Sequence, residues 1–294
     1  MSGPAGVAPA DHAAEVRRGE RFEFGANWKR FLQVLNDDRI RQAQESLAAM
    51  LGTSDLTGRT FLDIGSGSGL SSLVARRMGA KVHSFDYDPQ SVACTEELRR
   101  RYFPDDASWT VERGSALDAG YLAGLGTFDV VYSWGVLHHT GDMWRALGLV
   151  TPLVKQGGTL FIAIYNDQGA WSGRWKKIKR LYCSGPMGKA VVSGIAIPYW
   201  VLRGVAADLV WGRNPLARYR DYGTDRGMSV THDWFDWLGG YPFEYAKPEA
   251  IFAFYRERGF ELVRLATAGG TVGCNEFVFT RSGATAESGA PARA

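Results

Sequence analysis

The sequence predicts a doubly wound α/β fold, and three observations predict it. A short apolar run ending in Asp63 gives way to a glycine-rich turn and then a helical pattern, which reads as a strand, a tight turn and a helix N-terminus. Apolar strands and amphipathic helices alternate along residues 57–166, as a parallel sheet with crossover helices requires. Residues 247–281 then read as one more helix followed by two strands. With 294 residues, 45% hydrophobic and 22% charged, the chain is large enough for one such core with additions. A net charge of +3 is too small to imply nucleic-acid binding by itself. Cys94, Cys183 and Cys274 form no C-x-x-C pair, which argues against a disulfide framework or a zinc site and fits a reducing cytoplasm.

The turn, RTFLDIGSGSGL from Arg59 to Leu70, is the organising stretch. Gly65, Gly67 and Gly69 let a ligand lie against bare backbone and allow the positive φ that so tight a turn demands. A dinucleotide fingerprint, G-x-G-x-x-G/A, needs a small residue where this chain, counted from Gly65, has Leu70. Asp63, two residues before Gly65, would repel a pyrophosphate and suits a ligand carrying a positive ammonium and sulfonium. This acid followed by G-x-G-x-G resembles the first motif of class I S-adenosylmethionine-dependent methyltransferases. The resemblance implies a seven-stranded Rossmann-like sheet with its last strand antiparallel, S-adenosyl-L-methionine as cofactor and S-adenosyl-L-homocysteine as product. It covers residues 57–166 closely and 247–281 loosely, and the chain as a whole is similar to uncharacterised bacterial methyltransferases of a quinol-methylase-like group.

In chain order, residues 1–19 are small, polar and unpatterned, without the basic and apolar regions of a secretory signal, and are expected to be a disordered leader. Over residues 20–56, Phe31, Leu32, Leu35, Ile40, Ala43, Leu47 and Met50 recur near helical spacing and predict one or two N-terminal helices. These either pack as a layer on the sheet or, as the resemblance implies, cover the cofactor with Phe24, Asn27 and Trp28, with Trp28 also a candidate for acceptor binding. The second strand ends at Asp86, 23 residues past Asp63, where a carboxylate can accept hydrogen bonds from both ribose hydroxyls. The resemblance places Tyr87 against adenine. Asp88 and Pro89 read as an N-cap and a first helical residue. Ser115 and Ala116, after Gly114, stand where the family carries an acidic turn at the adenine edge, with Ser115 replacing the acid. The fourth strand ends at Ser133 and Trp134, and the resemblance assigns carbonyls there to the methionine ammonium. A K-x-G-G-x-L turn at Gly157 and Gly158 leads to a fifth strand ending at Tyr165.

Residues 167–246 are a helical insertion between strands 5 and 6, beyond the carboxyl ends of the strands, and are expected to cap the substrate. Between residues 170 and 230 eleven Lys and Arg stand against three Asp, a net +8, while the remainder is net acidic. The apolar run AVVSGIAIPYWVLRGVAADLVW, interrupted by Pro198, Arg203 and Asp208, is expected to be too short to span a bilayer. Three readings stay open for it: a buried hairpin or homodimer face, a peripheral membrane contact through residues 171–220, or a nucleic-acid surface. The aromatic run over residues 226–248 is either a pocket-lining loop, with Tyr241 facing a substrate, or aromatic packing. Methyl transfer needs alignment and a destination for a proton. His139, His138 and His232 are candidate bases, with Asp233 as a candidate orienter, although each histidine also fits capping or packing. Tyr165 and Asn166 are placed to hold an acceptor. The expected activity is methyl transfer to oxygen, nitrogen or carbon of a small-molecule acceptor, a lipophilic or phenolic one among the options, with no metal. A tRNA or other nucleic-acid methyltransferase and a non-catalytic adenosyl-binding scaffold are the alternatives, and residues 282–294 are expected to be a disordered tail.

Overall fold

Seven strands were assigned in a computed structural model that describes residues 12–214, 234, 237–270 and 273–283. They are β1 (Thr60–Ile64), β2 (Lys81–Asp86), β3 (Trp109–Arg113), β4 (Phe128–Trp134), β5 (Val154–Tyr165), β6 (Phe260–Ala266) and β7 (Cys274–Arg281). They form one sheet in the order β3-β2-β1-β4-β5-β7-β6, parallel except for β7, which runs antiparallel to both β5 and β6. The antiparallel insertion of the last strand is thus as expected. Strand order reverses between β1 and β4, and in an open α/β sheet a crevice forms at the carboxyl ends of the strands flanking such a reversal.

The sheet is apolar on both faces because helices cover both. Phe61 and Leu62 are each fully buried and, as neighbours on a strand, point to opposite sides. Phe61 packs into the layer formed with α3 (Asp37–Leu51), α4 (Leu70–Arg77) and α5 (Pro89–Tyr102), and Leu62 into the layer formed with α6 (Ala119–Leu125), α7 (Met143–Val150) and α10 (Pro248–Arg256). Asp88 caps α5, its Oδ1 accepting from the Gln90 amide at 2.9 Å, with Pro89 at the first helical position. Two helices begin the described chain, α1 (His12–Arg17) and α2 (Phe24–Phe31), and two more fill the insertion, α8 (Ala170–Cys183) and α9 (Pro186–Val210).

Two expectations are corrected here. Residues 12–19, assigned to a disordered leader, include α1, because His12 is buried beside Asp88 and Glu15 pairs with Arg21. These partners lie far along the chain or past the leader, so local composition could not show them. Residues 1–11 and 284–294 lie outside the described residues, as do His232 and Asp233. In the insertion, α9 runs unbroken through Pro198 for 25 residues, with a mean hydropathy of 1.5 over its most apolar window and 6% of that window buried. It is therefore long and apolar enough to cross a membrane by length and composition, and it is not the buried hairpin of the first reading.

Candidate functional site

The glycine turn between β1 and α4 forms the floor of the site. Gly65, Gly67 and Gly69 have φ of 77°, 55° and 82°, a region that side chains with a Cβ enter only under strain. A Cβ on Gly65 would lie 2.3 Å from the Val136 side chain, and one on Gly67 would lie 3.0 Å from the Trp28 indole nitrogen. Trp28, on α2, thus lies over the turn. Gly69 faces Thr95 instead and tightens the packing of α5.

Two carboxylates stand at the ends of β1 and β2. Asp63 is buried and accepts a hydrogen bond from the Ser72 hydroxyl at 2.5 Å. Burial pushes its pKa up to about 7, and the nearby Asp86 charge pushes in the same direction. Asp86 accepts from the Gly67 amide at Oδ2 and from the Asp88 amide at Oδ1, both at 2.9 Å. Burial nevertheless raises its pKa to about 6. Carboxylates so poorly solvated favour a cationic ligand, which restores the stability of their charged forms.

A cavity of about 2600 Å3 opens along the carboxyl edge of the sheet. Asp63, Gly65, Gly67, Asp86, Tyr87, Ser115, Ala116 and Trp134 line one part of it, and Trp28, His139 and Tyr165 line it as well. The structure brings these residues of the sequence reading together in one cavity. The other assignments do not reach the cavity. Ser133 is fully buried and donates to the Ile64 carbonyl at 3.1 Å, because its position on β4 points inward, and Trp134 and Gly135 line the cavity instead. His138 is also fully buried, its Nδ1 accepting from the Tyr165 amide at 3.2 Å, so it orders the end of β5 rather than meeting a substrate. Asn166 is tied to β7, its Oδ1 accepting from the Asn275 amide nitrogen at 3.1 Å. Tyr241 packs with Phe22 and Tyr182 beneath the insertion. Asn27 is buried below the cavity wall that Phe24 and Trp28 form.

Of the candidate bases, His139 is the one that lines the cavity among the described residues. Its Nδ1 lies 2.6 Å from the Pro242 carbonyl, which can only accept, so the ring carries its proton there and Nε2 is a hydrogen-bond acceptor. Burial holds its pKa down at about 3, with the Lys179 and Arg21 charges acting in the same sense against the Pro242 bond. The imidazole is neutral throughout the ordinary pH range.

Sequence reasoning missed the strap, and it gave the pocket the aromatic run over residues 226–248 without adding Trp175 and Trp200 to the same wall. Arg21 pairs with Glu15, lies 4.9 Å from the Tyr87 ring centre and donates to the His139 carbonyl at 2.8 Å. It so connects the Tyr87 end of the cleft to the His139 end. Trp175, Trp200, Trp234 and Trp237 come from the insertion to line the cavity opposite the glycine turn. Behind them Lys179, counted with the basic surface by sequence, is fully buried, 4.3 Å from the Trp237 ring centre and 4.8 Å from that of Phe243. One signal could have found it: Lys179 stands four residues from both Trp175 and Cys183, on the buried face of α8.

A family described as a methyltransferase domain matches residues 62–160, the stretch that builds the glycine turn, both acidic strand ends and β4. The matched stretch is a methyltransferase domain, similar to those of class I S-adenosylmethionine-dependent enzymes. Among its relatives, the ubiquinone biosynthesis O-methyltransferase of Methylobacterium sp. (strain 4-46) is 29% identical over 56% of this chain and 68% of its own length. The tRNA U34 carboxymethyltransferase of Enterobacter sp. (strain 638) is 31% identical over 50% of this chain and 45% of its own length, so the chain spans less than half of that relative. Magnesium protoporphyrin IX methyltransferase (ChlM) from Synechocystis PCC 6803 with bound SAM shares the fold, at a TM-score of 0.54, 13% identity and coverage of 94% of this chain and all of that one.

Proposed function

We propose that the methyltransferase transfers the methyl group to an oxygen of a small-molecule acceptor whose body is aromatic or apolar. One observation carries this reading: a single cavity joins the glycine turn and its two carboxylates to a wall of tryptophans and Tyr165. The polar end fits S-adenosylmethionine, which supplies an electrophilic methyl group on a sulfonium. Asp86 is assigned to the ribose hydroxyls, Tyr87 and Ser115 with Ala116 to the adenine, and Asp63 with the backbone at Trp134 and Gly135 to the positively charged methionine end. The aromatic end fits a flat or lipophilic acceptor, since such surfaces bury ring area at little conformational cost.

In this reading the protein's part in the chemistry is alignment, with little acid-base work. His139 accepts the acceptor hydroxyl proton in a hydrogen bond at Nε2, which turns an oxygen lone pair toward the methyl group, and Tyr165 and Trp28 bracket the acceptor. The oxygen–carbon bond forms as the carbon–sulfur bond breaks, its electron pair staying on sulfur, and the acceptor proton leaves through Nε2 or solvent. The O-methyltransferase relative supports oxygen over nitrogen or carbon. The tRNA relative supports nucleic acid as the alternative.

The test is a thermal-shift titration with S-adenosylhomocysteine followed by transfer of labelled methyl from S-adenosylmethionine to a panel of phenols, catechols and amines. Label entering a phenol or catechol supports the reading. Label entering only bulk tRNA, with none in the small molecules, overturns it.

A further inference from the structure

Among the described residues, the insertion leaves one helix face uncovered. On α9, Met187, Val191, Ile195, Tyr199, Leu202 and Leu209 are all exposed, Met187 by 80% and Leu202 by 69%. Their spacing of three, four and seven residues puts them in one line along the helix. The opposite face carries Ala196, Ile197 and Trp200, which pack with the buried Val192 against Phe22 and Tyr182, so this part of the helix is held against the domain and lies on the surface. Exposed basic residues border the line: Lys189 and Arg203 on α9, and Lys176, Lys177 and Arg180 on α8. The one acidic residue of α8 and α9, Asp208, is buried.

An apolar line with a cationic border and no exposed acid complements an anionic lipid surface. Two copies packed face to face through it would bring like charges together, and an apolar ridge offers a nucleic acid neither donors nor a groove. The line also meets the cavity, because Tyr199 belongs to both, with Trp200 and the bordering Arg203 beside it and the exposed Trp171 across from them. The cofactor end, at Tyr87 and Asp88, lies at the far side of the same cleft.

We propose that the α9 face docks on an anionic phospholipid bilayer and that the acceptor enters the cleft from the bilayer between Trp171, Tyr199, Trp200 and Arg203. Only the nature of what enters rests on the acceptor reading above; the docking rests on the helix face. The helix lies in the interface, and the aromatic mouth sits at headgroup depth, where tryptophan and tyrosine are favoured.

The experiment uses the whole protein with phosphatidylcholine vesicles, with and without phosphatidylglycerol, bearing brominated acyl chains that quench tryptophan on contact. Co-sedimentation is expected with the anionic vesicles, falling by about fivefold for each of Lys176, Lys177 and Arg180 changed to Gln. Ile195→Asp with Leu202→Asp should abolish sedimentation and quenching while leaving the thermal shift with S-adenosylhomocysteine unchanged, which shows the double variant folded. Trp171→Phe with Trp200→Phe should remove most of the quenching without weakening sedimentation. Failure of the parent to sediment with anionic vesicles at low salt overturns the docking, and a shift from dimer to monomer in the Ile195→Asp, Leu202→Asp variant would give the face to a second copy. Quenching that survives loss of Trp171 and Trp200 overturns the entry route. If the thermal shift persists in any of these cases, the methyltransferase reading stands while the lipid proposal falls.

Discussion

Asp63 and Asp86 are the residues on which cofactor binding most sharply depends. Asp86→Ala should weaken S-adenosylhomocysteine by about 2 kcal/mol, roughly 30-fold, since hydrogen bonds to a charged group are worth ~1.5 to 3 kcal/mol each. Calorimetric titration checks it, and unchanged affinity would remove Asp86 from the site. Both acids carry raised pKa values, about 7 and about 6, so the empty site holds more protons than the unfolded chain between roughly pH 4 and 7. The stability they contribute is therefore present at low pH and lost as pH rises through 6 to 7. A cationic ligand reverses that loss. The thermal shift given by S-adenosylmethionine should thus grow from pH 5.5 to pH 8, and a shift that shrinks over this range would contradict the ionisation of Asp63 on binding. His139 has the opposite sign, because its pKa is lowered to about 3. Its contribution to stability is full above about pH 6.5 and is lost as pH falls toward 3. His139→Ala should lower kcat by about five- to tenfold, the worth of one orienting hydrogen bond of ~1 to 1.5 kcal/mol, with the S-adenosylhomocysteine affinity nearly unchanged, and the parent rate should show no step near pH 6.5 from this group.

Among the elements, the glycine turn and the N-terminal strap decide how tightly the cofactor is enclosed. Gly67→Ala places a Cβ 3.0 Å from Trp28 at a φ of 55°. The strain is about 1 to 2 kcal/mol, and Trp28 can shift, so folding should survive while the ligand is displaced from the backbone. Loss of S-adenosylhomocysteine binding in a folded variant is the expected result, and parental affinity would mean that the ligand does not lie on this turn. Arg21→Ala removes the ion pair with Glu15 and the donation to the His139 carbonyl. The dissociation rate of S-adenosylhomocysteine in stopped flow should rise about tenfold, since a part-buried charged hydrogen bond is worth ~1.5 kcal/mol. The turn was legible in the sequence because its chemistry is local: three glycines, an acid at fixed spacing and a strand before a helix. The strap was not, because Arg21, Tyr87 and His139 come from three distant parts of the chain, and no period in residues 1–19 announces the contact.

At the scale of the whole molecule, the selectivity of the cleft should appear in melting. S-adenosylhomocysteine at 100 times its Kd should stabilise the domain by about 2.7 kcal/mol, a rise of roughly 5 to 10 °C for a chain of this size. NAD should give none, since Leu70 fills the place of a small residue and Asp63 opposes a pyrophosphate. A rise with NAD alone would overturn the cofactor assignment. The sequence by itself determined the alternation of strands and helices, the glycine turn and the two acids, because each is written in local periodicity and in fixed spacing along the chain, while the seven-stranded sheet with its antiparallel last strand came from the family resemblance. Only the tertiary structure decided which histidine meets the cleft. His138 and His139 are adjacent in sequence, yet one ring caps the β5 backbone and the other bonds Pro242 and lines the cavity. Tertiary packing also turned Lys179 inward while leaving Lys176 and Lys177 outside, and left α9 with a bare apolar face. Those outcomes depend on which neighbours a helix face meets, and a sequence records the face but not the neighbour.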